Sequence, residues 1–460
     1  MPRRQHAEWT EGGDRANPVE LLAAQETSRV PALLPLRHER MSASAFAFYR
    51  GSAIIMANDL ASRADSGLRV QLCGDAHLSN FGLFAAPDRR PVFDLNDFDE
   101  TNPGPFEWDV TRLAVSFHLA AQDNGLPESV GRRAARNAAR QYRESMAGYA
   151  QRSEIDIWYE RVDTANLESW ARESAGGAAA KRMAKVSRRA EARTMWTAVQ
   201  KLTEVVDGHR RFLDQSPLLV PAPRRMLSEG ALRHAVDAYR ASLPGDRRAL
   251  LERYQVIDVG HKVVGVGSVG LLAWVLLLEG RDPSDVLVLQ AKEAQASVLE
   301  PFTAPSAFAN HGQRVVEGQR LIQAASDSFL GWGEGALGRH YYLRQLRDMK
   351  WSPDPATMDQ AALLAYSGLC GHVLARAHAR SGDAIAIDAY LGQSDRFDAA
   401  IESFSKSYSR TVQADYRAFR EAVESGHFPQ ETSDEVADYL EHIRQGSAAT
   451  QRTDDSTHSG

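Results

Sequence analysis

Gly74-Asp75-Ala76-His77-Leu78-Ser79-Asn80 sets an aspartate and an asparagine five residues apart, directly after the short, mostly apolar run Val70 to Cys73. An acidic cluster follows at Asp94-Leu95-Asn96-Asp97-Phe98-Asp99-Glu100. Phosphoryl transfer needs this set of groups: one Asp to orient the attacking hydroxyl and accept its proton, an Asn and another Asp to hold magnesium against the phosphates. Asp and Asn also populate ordinary turns at strand ends, so the neighbours decide. Phe81 to Ala86 reads as a strand, Pro87-Asp88-Arg89-Arg90 as a turn and Pro91 to Leu95 as the returning strand. Such a hairpin carries Asn80 at one end and Asp97 at the other, where both can face one metal. Twelve residues beyond Asp97, Asp109 with Trp108 opens an amphipathic helix through Leu113, Phe117 and Ala121.

The run GDAHLSN, then DFDE, then PFEWD resembles the catalytic segment of aminoglycoside and choline kinase-like phosphotransferases. Their pattern is H-G-D-x-H-x-x-N, then I-D-F/W, then a D-hydrophobic-A helix start. The leading His is replaced here by Cys73; in the family that His is mainly a structural prop. The resemblance implies Asp75 as catalytic base, Asn80 as metal-binding Asn and Asp97 as metal-binding Asp. Asp94 stands nearer the family spacing counted forward from Asn80 and remains the alternative to Asp97. Asp99 is a further candidate.

A lid and a lysine for the nucleotide phosphates follow downstream. Val263 to Gly270 (VVGVGSVG) holds a G-x-G-x-x-G with Gly265, Gly267, Ser268 and Gly270. Its glycines permit positive φ and let backbone N–H groups approach a phosphate. Leu271 to Leu278 reads as a strand, whereas a dinucleotide fingerprint would need a helix there. After a turn at Gly280 to Ser284, Val286 to Lys292 reads as the next strand. A lone lysine in an apolar strand is expensive to bury unpaired; it either faces solvent from an edge or grips phosphate. In the second reading Lys292 pairs with a glutamate of the helix His311 to Ala325, namely Glu317, with Glu300 and Glu293 as substitutes. Tyr341 to Asp348 would be the strand leading to an interlobe hinge.

The parts are those of a kinase, but their order is rotated. The catalytic loop comes first, the glycine loop, lysine and hinge come last, and Tyr366 to Arg380 resembles the helix that directly precedes the catalytic loop in the phosphotransferases. A circular permutation closes this order into a ring, and folds tolerate such cuts at exposed sites. His378-Ala379-Arg380-Ser381-Gly382-Asp383 is a competing catalytic segment, but Asp388 stands where it would need an Asn. The whole chain also resembles a large uncharacterised bacterial family, a domain of unknown function grouped with protein-kinase-like proteins. SAFAFYRG (Ser44 to Gly51), CGDAHLSNFG, FDLNDFDET, VVGVGSVG and LQAKEAQASVLEP carry this likeness, over about residues 35 to 440. It implies the fold more firmly than the substrate.

The expected architecture is therefore α+β: a two-lobed, protein-kinase-like fold, circularly permuted. Residues 1–35 are expected as a flexible arm and 36–255 as the first segment of a helical catalytic lobe. Residues 256–348 would form a small β-rich nucleotide-binding lobe, 349–445 the returning helical segment and 446–460 a disordered tail. The expected activity is Mg-ATP-dependent transfer to a hydroxyl of an unidentified small molecule or protein. A nucleotide-binding pseudokinase and an adenylyl transferase are the alternatives. Two cysteines in 460 residues argue against a disulfide framework and suit the cytoplasm. Apolar runs are too short to span a membrane, and a net charge of -6 speaks against a general nucleic-acid binder. Lys181, Arg182, Lys185, Arg188, Arg189 and Arg193 form a basic helix face, read either as a solvated surface or as a docking surface for an acidic partner.

Overall fold

The structure, a computed structural model, describes residues 1–445 apart from 11, 193–194, 229, 264, 266, 347–348 and 429–432. The fold is α+β. Its strands run, in chain order, β1 (Arg69–Leu72), β2 (Phe81–Ala85), β3 (Pro91–Leu95), β4 (Asn102–Pro105), β5 (Val162–Asp163), β6 (Thr203–Val206), β7 (His209–Phe212), β8 (Leu219–Pro221), β9 (Gln255–Lys262), β10 (Ala273–Glu279), β11 (Val286–Glu293), β12 (Gly331–Glu334) and β13 (His340–Gln345).

Six of them form an antiparallel sheet in the order β12-β13-β11-β10-β9-β8. The interior strand β11 is buried along its whole length, which explains its almost continuous apolar sequence. Side chains alternate between the two faces of a strand. Leu287, Leu289 and Ala291 pack with Tyr239 and Leu243, at and just beyond the end of the helix Gly230–Ser242. Val286 and Val288 pack with Val199 and Leu202 of the helix Met195–Leu202. Continuing that second face, Gln290 and Lys292 emerge into a cleft. The sheet layer thus reaches further back in the chain than residue 256, recruiting β8 and two helices whose short segments give little periodicity to read.

The expected catalytic hairpin is formed by β2 and β3, with Phe81 opposite Leu95. The helical body centres on Phe106–Asp123, Glu128–Tyr149, Gln360–Ala379 and Arg396–Glu424. Glu128–Tyr149 and Gln360–Ala379 approach closely because small residues face each other. A Cβ at Gly371 would overlap the Ala138 carbonyl. Gly371→Ala is therefore expected to lower the thermal midpoint by several degrees, equivalent to about 1–3 kcal/mol of overpacking; an unchanged midpoint would show that the two helices part freely.

Residues 1–35 depart from the expected arm. Pro18–Glu26 is a helix whose N-cap Asn17 accepts the Val19 N–H. Arg15 is bound to both Asp59 and Asp415 at 2.7–2.8 Å, and the Trp9 indole donates to Thr411. This segment is built into the helical body by partners hundreds of residues away. Lys181, Arg182, Lys185, Arg188 and Arg189 lie exposed on the helix Thr164–Glu191, while Arg193 and the expected tail 446–460 lie outside the described residues. Among the described residues no helix is long and apolar enough to cross a membrane.

Candidate functional site

The turn after β1 is held by Asp109, in the first turn of the helix Phe106–Asp123. Its carboxylate accepts the Cys73 N–H at 2.7 Å and the Gly74 N–H at 3.1 Å, and faces the His378 imidazole at 3.3 Å. Gly74 has φ +85°, and a side chain there would overlap the Glu100 carbonyl, so glycine is required. Cys73 is fully buried and its thiol donates to the Asp97 carbonyl at 3.2 Å. Burial pushes that thiol well above its ordinary range, so it props the loop as a neutral group.

Asn80 donates its side-chain N–H to the Asp75 backbone carbonyl at 2.8 Å, which leaves its amide oxygen as the acceptor end. The Asp75 carboxylate receives Nε and Nη2 of Arg112 at 2.9 and 2.8 Å. Burial nevertheless raises the Asp75 carboxyl above the ordinary range, more than Arg112 lowers it. The His77 ring lies 3.6 Å from the same carboxylate; burial, then Arg50 and Arg112, hold it well below its usual value and so neutral.

Asp94, Asp97 and Asp99 part company. Asp94 is completely buried and turned inward, paired with Arg376 at 2.6 Å and accepting from the Leu95 and Ala324 N–H groups. Asp99 is saturated by Lys292 at 2.7 Å, Tyr342 OH at 2.6 Å and Ser268 OH at 3.1 Å. Burial opposes its charge, but Lys292, Tyr342 and Arg344 hold its carboxyl down to about 2. Asp97 lines the cleft. Its Oδ1 is enclosed without a hydrogen-bond partner, 3.8 Å from Lys292. Burial and the charge of Asp99 push this carboxyl up.

Glu317 does not meet Lys292: it pairs with Arg320 one turn along its own helix. That helix, His311–Ile322, is rotated so that Gly318 packs on Thr101 and Gln71, while Arg314 grips the Thr101, Asp99 and Gln295 carbonyls. Glu293 is taken by Arg339, and Glu300 by the Ser297 and Ser306 N–H groups. The counter-ions come instead from the acidic loop after β3, as Asp99 and Asp97.

The glycine-rich segment turns at Gly265 (φ 74°) and Gly270 (φ 91°). Its carbonyls are tied to the first helices of the chain. Arg40 donates to Gly265 O, Arg37 to Gly267 O at 2.8 Å, Arg29 to Val269 O at 2.6 Å and the Val30 N–H to Gly270 O at 2.7 Å. The cleft between this segment, β11 and the β2–β3 hairpin has a volume of about 840 Å³. Among the described residues, Arg40, Lys201, Lys262, Lys292, Arg344 and Lys350 line it against Asp97 and Asp327, a strong positive excess in a chain of net charge -6. Such a cleft concentrates anions. Asp75 and Asn80 are not among its lining residues. Arg112, Tyr342 and Arg344 were not singled out from sequence, although Arg112 stands three positions after Asp109 and so shares its helix face.

Residues 29–422 match the family described as "uncharacterized protein conserved in bacteria (DUF2252)", and the chain belongs to that family. No curated protein and no solved structure matches it.

Proposed function

We propose that the chain is a Mg-ATP-dependent phosphotransferase on a two-lobed, protein-kinase-like fold that is circularly permuted. One observation carries this reading. Lys292, Ser268 of the glycine-rich segment and Asp97–Asp99 of the metal loop meet around one carboxylate pair at the edge of a cationic cleft, although Ser268 and Lys292 stand 169 and 193 positions from Asp99. The permuted order is supported at its seam: a Cβ at Gly382 would touch Val70, and Ser381 Oγ accepts the Gln71 N–H at 3.1 Å. The end of the helix Gln360–Ala379 therefore abuts the strand that opens the Asp75 loop.

Magnesium, held mostly by phosphates and water, takes only one or two protein oxygens. The partnerless Asp97 Oδ1 and the acceptor end of Asn80 fit that role. Bound Mg-ATP would supply the transferable phosphoryl group. Lys292 would move from Asp97 toward the phosphates while Asp99 keeps it charged, and Gly265, Gly267, Ser268 and Gly270 would cover them. Asp75 would orient an acceptor hydroxyl and take its proton. The Arg112 contact on Asp75 favours a second reading, a nucleotide-binding pseudokinase in which that carboxylate is spent on the arginine.

Thermal unfolding with and without Mg-ATP tests the proposal. Ligand at about 100 times Kd stabilises a selectively bound fold by about 2.7 kcal/mol, a rise of a few degrees. Asp97→Asn is expected to lose the magnesium-dependent rise while its ligand-free midpoint is no lower. The sign follows from the raised Asp97 carboxyl: at neutral pH its charge is a burden to the fold. Absence of any rise at millimolar Mg-ATP would sink the reading. Label transferred from γ-labelled but not α-labelled ATP separates phosphoryl from adenylyl transfer; binding without transfer selects the pseudokinase.

A further inference from the structure

The SAFAFYRG stretch forms the helix Ala45–Gly51, and the site described so far gives it no role. Its last turn sits on a seam. The Tyr49 carbonyl accepts from Arg112 Nη2 at 2.6 Å, Arg112 lies 3.7 Å over the Tyr49 ring, and the same guanidinium holds Asp75. The Gly51 carbonyl accepts from Arg37 Nη2 at 2.7 Å, and Arg37 Nη1 holds the Gly267 carbonyl. Arg50 is thus pinned from one side by the arginine that grips the catalytic loop and from the other by one that grips the glycine-rich segment. Its own carbonyl lies 3.3 Å from where a Gly267 Cβ would stand.

The Arg50 guanidinium is a cation without a counter-ion. Its Nε is enclosed and meets no acceptor, its nearest aromatic face is Phe46 at 5.8 Å, and among the described residues it makes no ion pair. The carboxylates whose charge it feels are Asp75 and Asp97. An enclosed, unpaired charge is costly to keep and is at home where an anion arrives.

We propose that Arg50 is a catalytic residue that donates to the non-bridging oxygens of the phosphoryl group in transit between Asp97 and Asp75. This rests on the phosphotransferase reading. In that step the acceptor oxygen forms a bond to phosphorus and its proton passes to Asp75. The bond from phosphorus to the nucleoside diphosphate breaks and its electron pair leaves with the diphosphate. Arg50 acts on the charge spread over the three equatorial oxygens.

The test compares the affinity of Mg-ADP with that of Mg-ADP plus aluminium fluoride, a mimic of the group in transit, by calorimetry. Arg50→Ala is expected to bind Mg-ADP within about threefold of wild type and the fluoride complex roughly 10- to 100-fold more weakly, the loss of one charge-assisted hydrogen-bond donor. Millimolar guanidinium should restore part of the second affinity alone, which a merely structural residue would not show. If Arg50→Ala does not fold, Arg50→Lys and Arg50→Gln are measured in the same way. Equal weakening of both ligands, or an unweakened fluoride complex, overturns the role of Arg50 and leaves the phosphotransferase reading standing. A wild type that binds neither ligand overturns both.

Discussion

Arg376→Met is expected to cost the fold about 3–5 kcal/mol, read as a lowered urea midpoint. Arg376 and Asp94 are 1% and 0% exposed and meet at 2.6 Å. Methionine fills a similar volume but leaves the Asp94 carboxylate without its cation in a dry interior. Two backbone N–H groups still reach it, and they do not cancel a full charge. Burial already raises the Asp94 carboxyl despite Arg376; without the arginine it rises further. The native state then binds a proton that the unfolded chain releases near the ordinary carboxylate value of about 4. Stability of the variant therefore falls as pH rises above that value and recovers on acidification. Asp94→Asn combined with Arg376→Met should regain most of the loss. A variant as stable as wild type at pH 7 would mean that water reaches Asp94, and would return it to contention as a metal ligand.

Lys292→Met carries the second large effect. Lys292 is 7% exposed and is the cation shared by Asp97 and Asp99. Burial works against its charge, but the two carboxylates hold the ammonium well above its ordinary range. Its contribution is complete at pH 7 and is lost only at strongly alkaline pH, above the ordinary lysine value near 10. Removal leaves two neighbouring carboxylates facing each other. The expected loss is about 3 kcal/mol at pH 7, shrinking as pH falls and the carboxylates protonate. Mg-ATP affinity should drop at least roughly tenfold with it. The contrast with Asp97→Asn is diagnostic, because that change is expected to remove the magnesium-dependent stabilisation without a stability cost. If both variants lost stability equally, the carboxylate pair would be a structural knot and no ligand site.

Part of the candidate cleft was legible because it is written in short local motifs. Asp97, Lys292, Gly265 and Ser268 line one cleft, and Asn80 is hydrogen-bonded to the Asp75 carbonyl. The α+β composition followed from periodicity, since β11 and the long helices are strongly patterned. What escaped the sequence depends on how elements are turned against one another. Glu317 was expected by its place in a helix, yet rotation of that helix onto Thr101 and Gln71 points it at Arg320. Nothing near Asp99 announces that a lysine nearly two hundred residues later will take it as counter-ion. The first 35 residues look like an arm because their composition is polar and interrupted by glycine and proline. Their fixity resides in Arg15, whose partners Asp59 and Asp415 have no local signature.

That arginine has a consequence for how the molecule is made. Its second carboxylate stands 400 positions away, and the Trp9 partner Thr411 stands 402 away. At ordinary synthesis speeds of about 5–20 residues per second, the ribosome needs on the order of 20–80 s to supply them. For that interval Arg15 and Trp9 lack these partners. Nascent chains arrested before the helix Arg396–Glu424 emerges should therefore be cut by protease near residues 9–15, and full-length chains should resist. The protein finishes its beginning last.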